Sequence, residues 1–399
     1  MRIIVQKFGG TSVATLKGRK QVVSKIKKAI EEGCLPVVVV SAMGRKGAPY
    51  ATDTLIDFVN HESGEMTPHS YDMLLSCGEM ISAVTMTTLL ENEGIKAKAF
   101  TGGQAGIITD SYHQKADLVS AKPEGLLASL EKGIIPVVAG FQGMSVDGEI
   151  TTLGRGGSDT SAAMIGASIG AERIEIYTDV NGIMTADPNV CDKAKIIPAI
   201  SYMEVFQMAD SGAKVIHPRA VEYAMRANVP LVIKNTFSEA PGTYILQNVA
   251  NLMPKDKPQS VITSVAHLNG RSQFKIHEPN HKGENLLMMI AEAGISIDLI
   301  NLFPHEALFT VDATDEKALS SLLESGGYRY DVLRGCAKIT VIGERMTGVP
   351  GVMARIIASL SEASIPVYQT ADSLTTIACL IDETSVSLAI HALHEAFHL

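Results

Sequence analysis

The stretch Thr151-Thr152-Leu153-Gly154-Arg155-Gly156-Gly157-Ser158-Asp159-Thr160-Ser161 decides how the rest of this chain is read. The apolar run 134–141 before it predicts a buried strand, and Ala162-Ala163-Met164-Ile165-Gly166-Ala167 after it predicts a helix. Strand, glycine turn and helix start together build an anion site. Glycines let the backbone approach a ligand, while the free amides and positive dipole end of the first helical turn favour negative charge. Arg155 adds a planar fork suited to a carboxylate or phosphate. Asp159 would repel phosphates unless a metal or a lysine stood between them, so it points to phosphoryl chemistry with a cation. The dinucleotide fingerprint G-x-G-x-x-G fits Gly154 and Gly156 but finds Asp159 at the third glycine, and no Walker sequence occurs. A Rossmann dehydrogenase and a P-loop NTPase are thereby excluded. On spacing alone, a strand-to-helix turn without a ligand remains a rival.

The 399 residues are enough for two or three domains with a substantial core. A hydrophobic content of 46%, no Trp and a formal charge of −9 predict a soluble globular protein, and the acidic balance argues against nucleic-acid binding. Cys34, Cys77, Cys191, Cys336 and Cys379 are dispersed and lack C-x-x-C spacing, so thiols are expected, with no disulfide framework and no metal site. The chain opens on an apolar strand without a signal-peptide pattern, and no apolar run is read as membrane-spanning. A cytoplasmic protein with no membrane partner is expected.

Working outward, residues 2–8 form a strand that Gly9-Gly10-Thr11-Ser12 breaks, and Leu16, Val22, Val23, Ile26, Ala29 and Ile30 recur at helical spacing. Lys7 thus ends a strand just before paired glycines, where it is either a solvated lysine or the point charge phosphoryl transfer requires. A helix from 71 to 93 carries Glu79 among Leu75, Ser76, Ser82 and Ala83. Its carboxylate is either exposed or meets a cation, for example a substrate ammonium, because unpaired burial is costly. Further strands at 36–41, 96–100, 172–177 and 231–234 alternate with helices at 122–132, 202–208 and 218–227. That alternation predicts a largely parallel sheet covered on both faces.

Composition changes across 235–258, where Pro241, Gly242, Pro254 and Pro258 lie in a polar stretch. The remainder duplicates a β-α-β-β-α-β series with a period of roughly 70 residues, longer than a solenoid repeat, which predicts two ferredoxin-like domains. The second copy ends in a helix and lacks its last strand. Residues 261–267 can supply it, which would interlock the copies.

With Lys7-Phe8-Gly9-Gly10-Thr11-Ser12, Ser76-Cys77-Gly78-Glu79, the opening glycine stretch, Tyr177-Thr178-Asp179-Val180 and Thr185-Ala186-Asp187-Pro188 in order, the chain resembles the aspartate kinases. The resemblance implies an α/β amino-acid-kinase (carbamate-kinase-like) domain over 1–245, with a mainly parallel sheet between helices. A linker at 246–259 and two α+β ACT domains at 260–335 and 336–399 would follow. It implies transfer of a phosphoryl group from ATP, with Mg2+ carried on its phosphates, to the side-chain carboxylate of L-aspartate. Lys7 and Asp159 would be catalytic, and Thr52, Glu79, Arg155, Gly156, Gly157 and Ser158 would bind substrate. Lys7, Gly9, Gly10, Ser12, Thr178, Asp179, Met184, Asn189 and Lys214 would bind the nucleotide; the family often has Tyr at the position of Met184 and Arg at that of Asn189. Asn280, Ser296, Ile297 and Asp298 are expected to contact an allosteric lysine, threonine or diaminopimelate. ACT domains imply a homodimer or larger assembly. Rivals are a kinase of the same architecture acting on glutamate, N-acetylglutamate, carbamate or uridylate, and a non-catalytic amino-acid sensor.

Overall fold

The runs Ile3–Phe8, Leu35–Val40 and Ile135–Ala139 are buried at nearly every position, and such strands need cover on both faces. The structure, a computed structural model, describes residues 1–213, 216–249, 261–279, 286–344, 346 and 348–399. Its first compact unit holds residues 1–183 and 196–206 and, among the described residues, 216–249. An eight-stranded sheet runs in the order Ala199–Ser201, Thr243–Leu246, Leu231–Asn235, Arg173–Thr178, Ile3–Phe8, Leu35–Val40, Ile135–Ala139, Ala97–Phe100. Only the pairing of Leu231–Asn235 with Thr243–Leu246 is antiparallel.

Helices Leu16–Glu31 and Pro68–Asn92 cover one face, where Phe8, Val22, Ile26, Val38, Val40, Met86 and Leu90 share a core. Helix Gly157–Ser168 packs against the central strands as well, and helix Pro218–Ala227 packs on it. Strand order runs outward in both directions from Ile3–Phe8, so its carboxyl end opens at a switch point where α/β sheets bind ligands.

Within this first unit three sequence expectations need correction. The glycine stretch does not follow the 134–141 strand directly, because a hairpin of Gln142–Ser145 and Ile150–Thr152 intervenes. That hairpin joins Ile107–Thr109 and Leu118–Ala121 in a four-stranded sheet whose strands are too short to show a period. Second, Thr52–Ser63 is a helix rather than part of a polar loop. Third, Pro68–Asn92 is long and apolar enough by length and composition to cross a membrane, contrary to the expectation of no such run. Half of its apolar window is buried, and Asp72 and Glu79 are turned into the fold, as in the core helix of a globular unit.

The second unit holds residues 184–195 and 207–213 and the described residues from 261 onward. The segments 184–195 and 207–213, which the sequence reading places in the first domain, group here. A six-stranded antiparallel sheet runs Asp298–Leu302, Glu306–Asp312, Ser264–His277, Arg329–Ile342, Thr376–Asp382, Gln369–Asp372. The two central strands pair along their lengths, with register shifts between Leu268 and Gln273. Residues 264–268 pair antiparallel with 338–342, alongside the strand of the second copy. Phe274, Phe309, Leu319 and Leu323 fill one core, and Ile339, Ile356, Leu380 and Ile390 lie in the other half.

Candidate active site

Because strand side chains alternate, burying Phe8 against the Leu16–Glu31 face turns Lys7 to the opposite side. There its Nζ lies 2.6 Å from Oδ1 of Asp159, with the two side chains 11% and 16% exposed. Asp159 is in the first turn of Gly157–Ser168, where a carboxylate is favoured by the helix dipole. That helix starts from Gly156 at φ 67, in the left-handed region, and a Cβ there would lie 2.3 Å from Cβ of His217. No other residue fits the turn.

Gly10 opens the short helix Gly10–Val13, and its carbonyl accepts from the amide of Gly44 at 3.1 Å. A Cβ on Gly10 would lie 2.8 Å from the carbonyls of Ala42 and Gly44, so the two loops approach only because it is glycine. Ser12 is fully buried, and its hydroxyl meets that of Thr236 at 2.6 Å rather than facing outward.

Glu79 is 3% exposed. Its Oε1 accepts from the amide of Ala42 at 3.1 Å, and its Oε2 has no hydrogen-bond partner among the described residues. Burial pushes its pKa up to about 8, against the opposing pull of the Ala42 amide and the Lys7 charge. A buried carboxylate oxygen without a donor is costly, and a cation would satisfy it.

Ser158 is buried, Thr52 is half-buried at the start of its helix, and Arg155 is exposed, with no ion pair among the described residues. Thr178 ends the strand beside Lys7's own and donates to Asp179 at 3.1 Å, while Asp179 pairs with exposed Arg45 at 3.0 Å. Met184 is half-buried and Asn189 exposed in the second unit, where Asn189 bonds Asp187 through its amide and side chain. Lys214 and Asn280 lie outside the described residues. Ser296 is exposed, Ile297 half-buried, and Asp298 forms an ion pair with Lys338.

Sequence reasoning missed the residues that brace the glycine turn. Asp72 is fully buried and accepts from Thr152 N at 3.0 Å, Thr152 Oγ1 at 2.6 Å, Gln114 N at 3.0 Å and His113 Nδ1 at 2.9 Å. Arg219 donates to the carbonyl of Leu153 at 2.7 Å and to that of Ala116 at 3.0 Å. The turn is therefore held from both sides of Leu153. Asp72 stands two helical turns before Glu79, on the stripe of Leu75 and Ser76, and that spacing was the available signal. His217, the cap of Pro218–Ala227, has its pKa lowered chiefly by burial and faces Gly156 in neutral form.

Comparison with known proteins agrees with this fold. The profile of the amino acid kinase family matches residues 2–235, and that of an ACT domain matches 331–395. Aspartokinase 1 of Bacillus subtilis (strain 168) is 46% identical over 404 residues, covering 100% of both chains. The Clostridium acetobutylicum aspartate kinase structure has a TM-score of 0.81 at 20% identity, and E. coli aspartokinase III in complex with aspartate and ADP has 0.76 at 24%, each covering 100% of both chains.

Proposed function

The chain belongs to the amino acid kinase family and, within it, to the aspartokinases; from that premise we propose how its residues transfer the γ-phosphoryl group of ATP to the side-chain carboxylate of L-aspartate. The product is 4-phospho-L-aspartate, and an end-product amino acid regulates the reaction through the ACT domains. A carboxylate acceptor is already ionised, so no general base is needed and catalysis reduces to positioning and charge neutralisation.

Lys7 offers the point charge for the phosphoryl oxygens, and Asp159 holds that ammonium in place at 2.6 Å. A side chain on Gly9 would come 3.6 Å from Lys7 Nζ, so the bare backbone leaves the space a phosphate oxygen needs. Gly10, Thr178 and Asp179 belong to the same nucleotide set, as do Met184, Asn189 and Lys214. Magnesium would ride on the phosphates to screen their charge, and no side chain is assigned as its ligand.

The acceptor is identified by Glu79. Its unpartnered buried oxygen calls for a cation, which the α-ammonium of aspartate supplies. Arg155, free of any ion pair among the described residues, takes a carboxylate, with Thr52, Ser158 and the Gly156-Gly157 backbone adding hydrogen bonds. A site that pairs both charges of an amino acid leaves buried groups unmatched by a neutral acceptor. The test is ADP release with aspartate, glutamate, N-acetylglutamate and carbamate in parallel. Aspartate should lead by at least ~1000-fold in kcat/KM, and preference for another acceptor would refute the assignment.

Domain limits of 1–245, 246–259, 260–335 and 336–399 belong to the same proposal, with 184–195 lent to the second unit. So does a homodimer through the ACT domains. It is supported by the edge strand Asp298–Leu302, whose Ile300 is 44% exposed and Leu302 58%, followed by Phe303 at 51%. The effector, lysine, threonine or diaminopimelate, would bind near Ser296, Ile297 and Asp298. A cytoplasmic setting fits the five free cysteines.

A further inference from the structure

The dispersed cysteines argue against a metal site by spacing, yet the fold brings one of them to a histidine and an aspartate. Cys191 and Asp192 end the turn that follows Asp187-Pro188, and His391 lies in the last helix, Val386–Ala396, 199 residues from Asp192. The Sγ of Cys191, a carboxylate oxygen of Asp192 and a ring nitrogen of His391 all lie within 4.8 Å of one another. We propose that these three residues form a zinc site within the second unit.

The tautomer of His391 carries the argument. Its Nδ1 is 2.7 Å from the carbonyl of Ser387, an acceptor, so the ring proton belongs on Nδ1. Its Nε2 then presents a lone pair to Oδ1 of Asp192, 3.3 Å away, which is a second acceptor. Two acceptors facing each other need a cation between them or an extra proton on the ring. The thiol of Cys191 beside them favours the metal, because sulfur, imidazole and carboxylate together select zinc over magnesium or calcium. Bonds of about 2.1 Å in a tetrahedron place two ligands about 3.4 Å apart, and the observed N–O separation already matches. An Nδ1–H to carbonyl hydrogen bond is also how a ligating histidine is ordinarily oriented.

The surroundings hold the three groups in place. Cys191 is fully buried in the core with Ala186, Val386 and Ile390, while Asp192 is 87% exposed and leaves the fourth position to water. Ser387 Oγ donates to the carbonyl of Val190 at 3.3 Å, Thr185 Oγ1 meets His394 Nε2 at 2.9 Å, and Lys195 Nζ donates to the terminal Leu399 at 2.6 Å. These bonds fix segment 184–195 on the last helix before any ion arrives. Binding deprotonates the Cys191 thiol, so thiolate and carboxylate together neutralise the ion and one proton is released. Zinc would thus fasten the segment that carries Met184 and Asn189.

The test uses the full-length protein, stripped with a chelator and titrated with Co2+ and then Zn2+. One cobalt ion per chain should bind with a thiolate-to-metal charge-transfer band in the near ultraviolet and the strong visible bands of a tetrahedral ion, and zinc should displace it with loss of both. Cys191→Ser should abolish the charge-transfer band, and His391→Gln should weaken binding by at least ~10-fold. If Cys191→Ser fails to fold, release of one proton per zinc bound by the wild type in weakly buffered solution gives the same information, and zinc binding without proton release overturns the site. Absence of a thiolate band in the wild-type protein, or its persistence in Cys191→Ser, would overturn the site.

Discussion

The ammonium of Lys7 stands 2.6 Å from the carboxylate of Asp159, joining the end of the central strand to the first turn of the helix after the glycine stretch. Lys7 is therefore aimed before substrate arrives. Lys7→Ala should lower kcat by at least ~1000-fold while KM for ATP moves less than about fivefold, because the interaction is strongest in the transition state. Steady-state kinetics at saturating aspartate decides it, and turnover within tenfold of wild type would remove Lys7 from the mechanism.

Glu79 gives the reaction a pH dependence. Its pKa in the free protein is raised to about 8, chiefly by burial, so below pH 8 the carboxyl holds a proton that the substrate ammonium must displace. The kcat/KM for aspartate should rise with pH up to about 8 and then level. Glu79→Gln should flatten this rise and increase KM for aspartate at least ~10-fold, and a variant with the wild-type profile would exclude the ammonium contact.

The same burial acts on stability. A folded-state pKa near 8 against a reference of 4.5 gives a contribution that is complete below about pH 4.5 and lost as pH rises through 8. Glu79→Gln should therefore melt higher than wild type at pH 9, by about 2 °C or more, with the gap closing towards pH 5. An equal gap at both pH values would mean that ionisation of Glu79 is not the source.

Asp72 supports the turn through Thr152 and Gln114. Asp72→Asn turns an amide towards the N–H groups of Thr152 or Gln114 and should cost on the order of 3 kcal/mol. Arg219→Ala frees the carbonyl of Leu153 and should raise KM for aspartate more than that for ATP. Denaturation and paired KM measurements check both, and a marginal stability change in Asp72→Asn would show that the brace is dispensable.

In the second unit Asp298 pairs with Lys338 across the two ACT copies. Asp298→Asn should raise the concentration of the inhibiting amino acid needed for half-inhibition at least ~10-fold, with kcat unchanged. Unchanged inhibition would move the effector away from this strand.

Much of this was legible in the sequence for physical reasons. Buried parallel strands are apolar throughout, glycine turns mark the ligand-facing strand ends, and the duplicated series showed the ACT pair. Lys7, Asp159 and Glu79 stood out because charges beside glycines or on an apolar helix face need an explanation. The hairpin 142–152 was hidden because its strands are three or four residues long. Arg219 was hidden because its partners are the carbonyls of Leu153 and Ala116 and the distant Asp117, which carry no local sequence signature. The grouping of 184–195 with the ACT unit could not be read either, since it depends on which core Ala186 and Cys191 enter.

The most direct measurement is trapping of the acyl phosphate with hydroxylamine, with L-aspartate or succinate as acceptor at equal concentration. Succinate carries the carboxylates of aspartate but no ammonium. ADP and hydroxamate should form in equal amounts with aspartate, and kcat/KM with succinate should be at least ~1000-fold lower. Comparable hydroxamate from succinate would contradict the assignment of Glu79, and ADP release without any hydroxamate would contradict carboxyl phosphorylation itself.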